Sequence, residues 1–239
     1  MEIMKNLNSL RVKFTAPYAC FTRPEFKVER ISYDVPTPSA MRGACEAIFW
    51  KPEMRYKIRE IHVLKPIKYF SIWRNEVNSR QVFATAQGWA KKGEGSYFAD
   101  DDRAQRHTLC LQDVAYVVDL DIEVLPHAAA DVAKYRDQFQ RRIERGQCHH
   151  QPYLGTREFS AFFEKPNPDH PADCADPSLN RELGLMLYDV EFQEQPKGPV
   201  SYRKRDQSGD RIVTAQARPR FFRASLTRGV LTIPEQPLS

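Results

Sequence analysis

Val114-Ala115-Tyr116-Val117-Val118-Asp119-Leu120-Asp121-Ile122-Glu123-Val124 ends in a strict alternation of apolar and acidic residues, and that alternation decides the fold class. Side chains of a strand point to opposite faces in turn. Val118, Leu120, Ile122 and Val124 therefore share a dry face, while Asp119, Asp121 and Glu123 meet water. A sheet with one dry face needs a cover, and two helices are legible on either side of this strand. Upstream, Thr37 suits an N-cap and Pro38 the first helical position, with Met41, Ala44, Cys45 and Ile48 forming one apolar stripe. Downstream, Asp131 opens a helix that runs to about Arg145 and closes at Gly146. Its apolar stripe is Val132, Tyr135, Phe139 and Ile143, beside a basic stripe of Lys134, Arg141 and Arg145.

Further strands are expected at Arg11–Ala19, Tyr56–Leu64 and Leu154–Phe163, which gives the order strand, helix, strand, strand, helix, strand. That order predicts an α+β fold with a ferredoxin-like β-α-β-β-α-β domain over residues 1–165. Residues 75–106 show little periodicity and read as a long functional or mobile connection. The proline-rich stretch Pro166–Pro177 reads as a linker. Strand-like runs at Leu185–Phe192, Arg211–Ala217, Arg220–Leu226 and Val230–Ile233 predict a small antiparallel β-sheet domain over 178–239.

At 239 residues the chain can bury one large core or two small ones. No stretch approaches the roughly 18 apolar residues of a membrane span, and Met1–Leu10 lacks a signal peptide's apolar core. The expectation is a cytoplasmic protein with no membrane partner. Five unpatterned cysteines read as free thiols, and without a C-x-x-C pair Cys148-His149-His150 and Cys174 make a poor zinc site. The net charge of +5 is mild, but arginines cluster at 141, 142 and 145, in Arg203-Lys204-Arg205, and around Phe221-Phe222 as Arg218, Arg220 and Arg223. Basic groups among aromatics suit nucleic acid, RNA or DNA, equally as they suit a solvated strand edge.

Several blocks resemble the CRISPR-associated Cas-five family of the type I-C (Dvulg) subtype. They are Tyr33–Gly43, Glu46–Pro52, Leu64-Lys65-Pro66-Ile67, Gln140-Arg141-Arg142 and Tyr153–Phe159. The resemblance covers most of the chain and implies binding of CRISPR repeat RNA, cleavage at its hairpin, and retention with the guide RNA in the type I-C interference complex. It also implies a metal-independent, cofactor-free endoribonuclease of the RAMP superfamily, using a tyrosine, a lysine and a histidine. The ribose 2′-OH attacks the adjacent phosphate, so the site must move protons and stabilise phosphorane charge. Carried over by position, the lysine is Lys134, whereas Phe49 stands for the tyrosine and Tyr135 for the histidine.

Tyr135, His149 and His150 are the candidate substitutes for the missing proton carriers, beside Lys134. Tyr135 on an apolar stripe is equally a core residue. Arg42, Phe49, Lys51, Arg141, Arg142 and Arg145 are the candidate RNA contacts. Two other functions stay open: a non-catalytic subunit that holds the guide's 5′ handle, and a metal-dependent nuclease built on Asp100-Asp101-Asp102. Adjacent carboxylates on one loop suit a two-metal site badly, since the ions sit about 4 Å apart on fixed ligands.

Overall fold

The computed structural model describes residues 9–26, 28–79, 81–128, 131–206 and 209–238. The leader-free reading of the chain start falls mostly outside them, as does the Arg205 side chain. Chain order gives β1 (Ser9–Ala19), β2 (Arg30–Ile31), α1 (Pro38–Ile48), β3 (Met54–Val63), β4 (Tyr69–Val77) and α2 (Phe83–Lys92). Then follow β5 (Arg103–Val124), α3 (Val132–Glu144), β6 (Phe162–Glu164), β7 (Arg181–Glu194), β8 (Val200–Asp206), β9 (Gly209–Thr227) and β10 (Val230–Thr232). The architecture is mixed α and β, three helices with one large, almost wholly antiparallel sheet.

The sheet runs β6-β1-β5-β3-β10-β9-β7, with β2 and β4 also on β5 and β8 on β9. β5 is its spine. Its C-terminal half pairs β1 on one side and β3 on the other, with Val118 opposite both Val12 and Ile61. Near Asp113, which has a φ of 53°, β3 gives way to β4, and the N-terminal half of β5 pairs β4 from Leu111 to Arg103. The unpatterned stretch 75–106 is therefore part of a β4–α2–β5 arm. No residue of α2 is buried, and Trp73, Phe83 and Phe98 are largely exposed.

On the dry face, Val118, Leu120 and Ile122 share one core with Met41, Cys45 and Ile48 of α1 and Tyr135, Phe139 and Ile143 of α3. α1 starts as its sequence dictates, the Thr37 hydroxyl accepting from the Ala40 N–H at 3.2 Å. Such a cap contributes about 1 kcal/mol. Asp131 holds the N-cap position of α3, but its side chain makes no capping bond. At the other end Gly146 (φ 61°) closes α3 with Gly146 N–H to Ile143 C=O at 3.2 Å and Gln147 N–H to Arg142 C=O at 2.9 Å. These two bonds form a Schellman motif, which needs the left-handed residue that glycine supplies.

Leu154–Phe163 is not a continuous strand. Only Phe162–Glu164 joins the sheet, and the preceding residues fold over Cys20, whose N–H donates to the Leu154 carbonyl at 3.1 Å. Gly155 makes that approach possible: at φ 87°, an added Cβ would lie 1.9 Å from the Cys20 carbonyl oxygen. The C-terminal strands are antiparallel as expected, and they continue the same sheet because β10 lies between β3 and β9. Arg211–Ala217 and Arg220–Leu226 are one strand, β9, running through Pro219.

The loop over Cys20 ends at Glu158, which the Arg74 guanidinium engages at 2.7 Å. That bond, above all, lowers the Glu158 carboxyl from the usual 4.5 to about 2. The folded state thus favours the ionised form, so its contribution is full above pH 4.5 and fades as pH falls towards 2. Glu158→Gln should lower the urea midpoint near neutral pH, with the deficit shrinking across that acid range; a deficit independent of pH would refute this role.

Candidate nucleic-acid interface

α1 ends with its carbonyls pointing at α3 and the loop behind it. The Ala47 carbonyl accepts from the His149 N–H at 2.9 Å and the His150 N–H at 3.2 Å. The Ile48 carbonyl accepts from the Arg142 guanidinium at 2.6 Å, and the Phe49 carbonyl from the Tyr56 hydroxyl at 2.8 Å. A cation suits this end of a helix, where the carbonyl dipoles leave partial negative charge. Arg142 also lies over the Phe49 ring, 5.2 Å from its centroid.

Phe49, Arg142, His149 and His150 are therefore brought together. Phe49 is 5% exposed, so its ring packs beneath Arg142 instead of facing solvent. The two imidazoles are exposed, 5.6 Å apart and edge to face. From Phe49 the chain runs back along α3 to Glu53, whose charge acts on the Tyr135 phenol. Trp50 and Lys51 lie exposed on that segment.

Lys134 sits exposed in the first turn of α3, about 12 Å along the axis from Arg142. Tyr135 is 4% exposed and belongs to the core stripe. Burial, reinforced by Glu53, pushes its phenol above the usual tyrosine value, so it stays protonated near neutral pH. Arg141 and Arg145 are exposed at the end of α3. Arg42 is engaged otherwise: its guanidinium grips both carboxylate oxygens of Asp189 and lies 3.6 Å from Glu46, clamping α1 to β7.

Next to this edge is a groove that sequence reading missed. It encloses about 790 Å³, between α1, the start of β3 and strands β7 to β9. Its walls come from four regions of the chain, so no local pattern announces it. Of the arginines around Phe221-Phe222, Arg220 lines this groove, while Phe222 is buried at 1% exposure and offers no surface.

The opposite, wet face of the sheet is electrostatically different. Arg11, Lys13 and Arg59 there each hold a carboxylate within 2.8 Å: Asp119, Glu164 with Asp173, and Asp121. Glu60, His62 and Asp119 place ligand atoms within 4.8 Å of one another, the one such trio among the described residues. The Arg11 guanidinium already fills that trio, with two bonds to Asp119 and a 3.3 Å contact to His62 Nε2. Asp102 is bonded to Ser79 and Tyr97. Among the described residues neither the aspartate run nor Cys148 with His149 and His150 forms a ligand trio.

Residues 9–234 match the family model described as CRISPR-associated protein (Cas_Cas5), in its Cas5d form. The chain belongs to the Cas5 family. It is 48% identical over 227 residues to the CRISPR pre-crRNA endoribonuclease Cas5d of Thermus thermophilus, covering 95% of this chain and 92% of that one. It is 38% identical over 235 residues to the protein of the same name from Mannheimia succiniciproducens, covering 95% of both. The fold resembles a crystal structure of a CRISPR-associated protein with a TM-score of 0.61 and 20% identity, over 95% of this chain and 92% of that one.

In this Cas5 protein, Arg142 is a structural cap as well as a surface cation. Arg142→Ala should destabilise the fold by about 1.5–3 kcal/mol, the range for hydrogen bonds from charged groups. Chemical denaturation measures it, and a change below about 0.5 kcal/mol, typical of a surface site, would contradict the capping role.

Proposed function

We propose that the protein binds CRISPR repeat RNA and cuts it at the hairpin without a metal, then stays with the guide RNA and the other subunits of the type I-C interference complex. The observation that carries this is 48% identity, over 95% of the chain, to a protein named as a pre-crRNA endoribonuclease. No helix among the described residues is long and apolar enough to cross a membrane, which agrees with a cytoplasmic site of action. A ferredoxin-like domain over 1–165 is supported by the order β6-β1-β5-β3 with α1 and α3 packed in one core. Residues 178–239 form the second unit in this reading, joined to the first through β10.

The chemistry falls to side chains around α3. A proton leaves the ribose 2′-OH, the new O2′–P bond forms as the P–O5′ bond breaks, and O5′ takes up a proton. The products are a 2′,3′-cyclic phosphate and a 5′-hydroxyl. With Phe49 lacking a hydroxyl and Tyr135 held protonated, His149 and His150 are the imidazoles beside the Phe49 backbone that can move these protons. Lys134, with Lys51, Arg141 and Arg145, supplies positive charge along the RNA. A subunit that holds RNA without cutting it is the second reading, favoured by Phe49 and Tyr135 where the family resemblance implies proton carriers.

Labelled repeat RNA should be cut once in the presence of chelator. Lys134→Ala should abolish that cut, and the double variant His149→Ala, His150→Ala should slow it by about a hundredfold, the low end of acid–base contributions. Tight binding with no cut would select the non-catalytic reading. Cutting only with magnesium would overturn the metal-free mechanism.

A further inference from the structure

The groove beside α1 combines surfaces that recognise one chemical class. Trp50 stands at it with 42% of its surface exposed. Phe192, 46% exposed, and Tyr202 pack against each other on a second wall, ring centroids 5.3 Å apart. Arg55 and Arg220 also line it, and among the described residues neither holds a carboxylate within 4.0 Å or makes a side-chain hydrogen bond. The floor is different: Arg42, Asp189 and Glu46 neutralise one another there. Glu191 is a carboxylate on the lining that these contacts do not engage, so the two open arginines leave the groove positive.

An indole with an open face takes a planar base by stacking, and free guanidinium groups take a phosphate through paired N–H donors. A base within a duplex has both faces covered by its neighbours, so only an unpaired nucleotide can use such a surface. The volume of about 790 Å³ lies within the range of small-ligand sites. Free arginines beside exposed rings fit a nucleotide better than an apolar peptide, which would leave both charges unanswered.

We infer that this groove holds an unpaired nucleotide flanking the repeat hairpin, its base against Trp50 and its phosphate between Arg55 and Arg220. The inference rests on the RNA-processing reading above and adds a place for single-stranded RNA outside the cutting edge. It divides recognition in two, the hairpin along α3 and the flank between α1 and the C-terminal strands.

Fluorescence polarisation with two labelled RNAs tests it: the repeat hairpin with its single-stranded flanks, and the same hairpin trimmed to its duplex and loop. On the flanked RNA, Trp50→Ala and the double variant Arg55→Ala, Arg220→Ala should each weaken binding by about tenfold, within the range for losing one stacked base. Trp50→Phe keeps a ring and should stay within about threefold of the parent. On the trimmed hairpin every variant should match the parent, which also shows that the variants fold. Removing the 5′ or the 3′ flank alone then tells which strand enters. Equal binding of the flanked RNA by parent and variants would overturn the subsite, as would equal losses on both RNAs. A parent protein that binds neither RNA would reject the RNA reading itself, and the subsite with it.

Discussion

The alternation along β5 sets everything else in this molecule. Val118, Leu120 and Ile122 point one way and Asp119 and Asp121 the other, so a single strand defines a helix-covered face and a wet face. β5 also carries β1, β2, β3 and β4, so a shift of one residue in its register would move every apolar side chain of the sheet to the wrong side. The helices are placed by that dry face. Their placement in turn brings the end of α1 against the last turn of α3.

The two faces treat a phosphate backbone differently. On the wet face Arg11, Lys13 and Arg59 are answered by Asp119, Glu164, Asp173, Asp121 and Glu235, which leaves little positive charge free. Along α3 and the adjoining groove, Lys134, Arg141, Arg145, Arg55 and Arg220 have no such carboxylates within 4.0 Å among the described residues. Exposed aromatic surface at Trp50 and exposed imidazoles at His149 and His150 lie on this same side. A nucleic acid therefore finds charge, stacking surface and proton carriers together at the helix edge.

How much of this was legible in the sequence follows from the range of the forces involved. α1, α3 and the inner half of β5 were readable because period and caps are local: Thr37 and Gly146 announce their helix ends by their own chemistry. The β4–α2–β5 arm was not, since no residue of α2 is buried and no apolar stripe marks it. Leu154–Phe163 alternates like a strand, yet close packing on Cys20 through Gly155 overrides the pattern. Of the candidate site, the gathering of His149, His150 and Arg142 at Phe49 depends on bonds spanning up to about a hundred residues, which no spacing reveals. The same holds for the groove, and for Arg42, whose commitment to Asp189 joins positions 147 residues apart.

The central claim is that RNA meets the helix edge and not the wet face of the sheet. Ultraviolet cross-linking of the protein to its repeat RNA, followed by peptide mass spectrometry, tests it most directly. The account predicts adducts on Trp50, Lys51 and the peptides spanning α3 to His150. Adducts concentrated on Lys13, Lys57 and Arg59, with the α3 peptides unmodified, would contradict it.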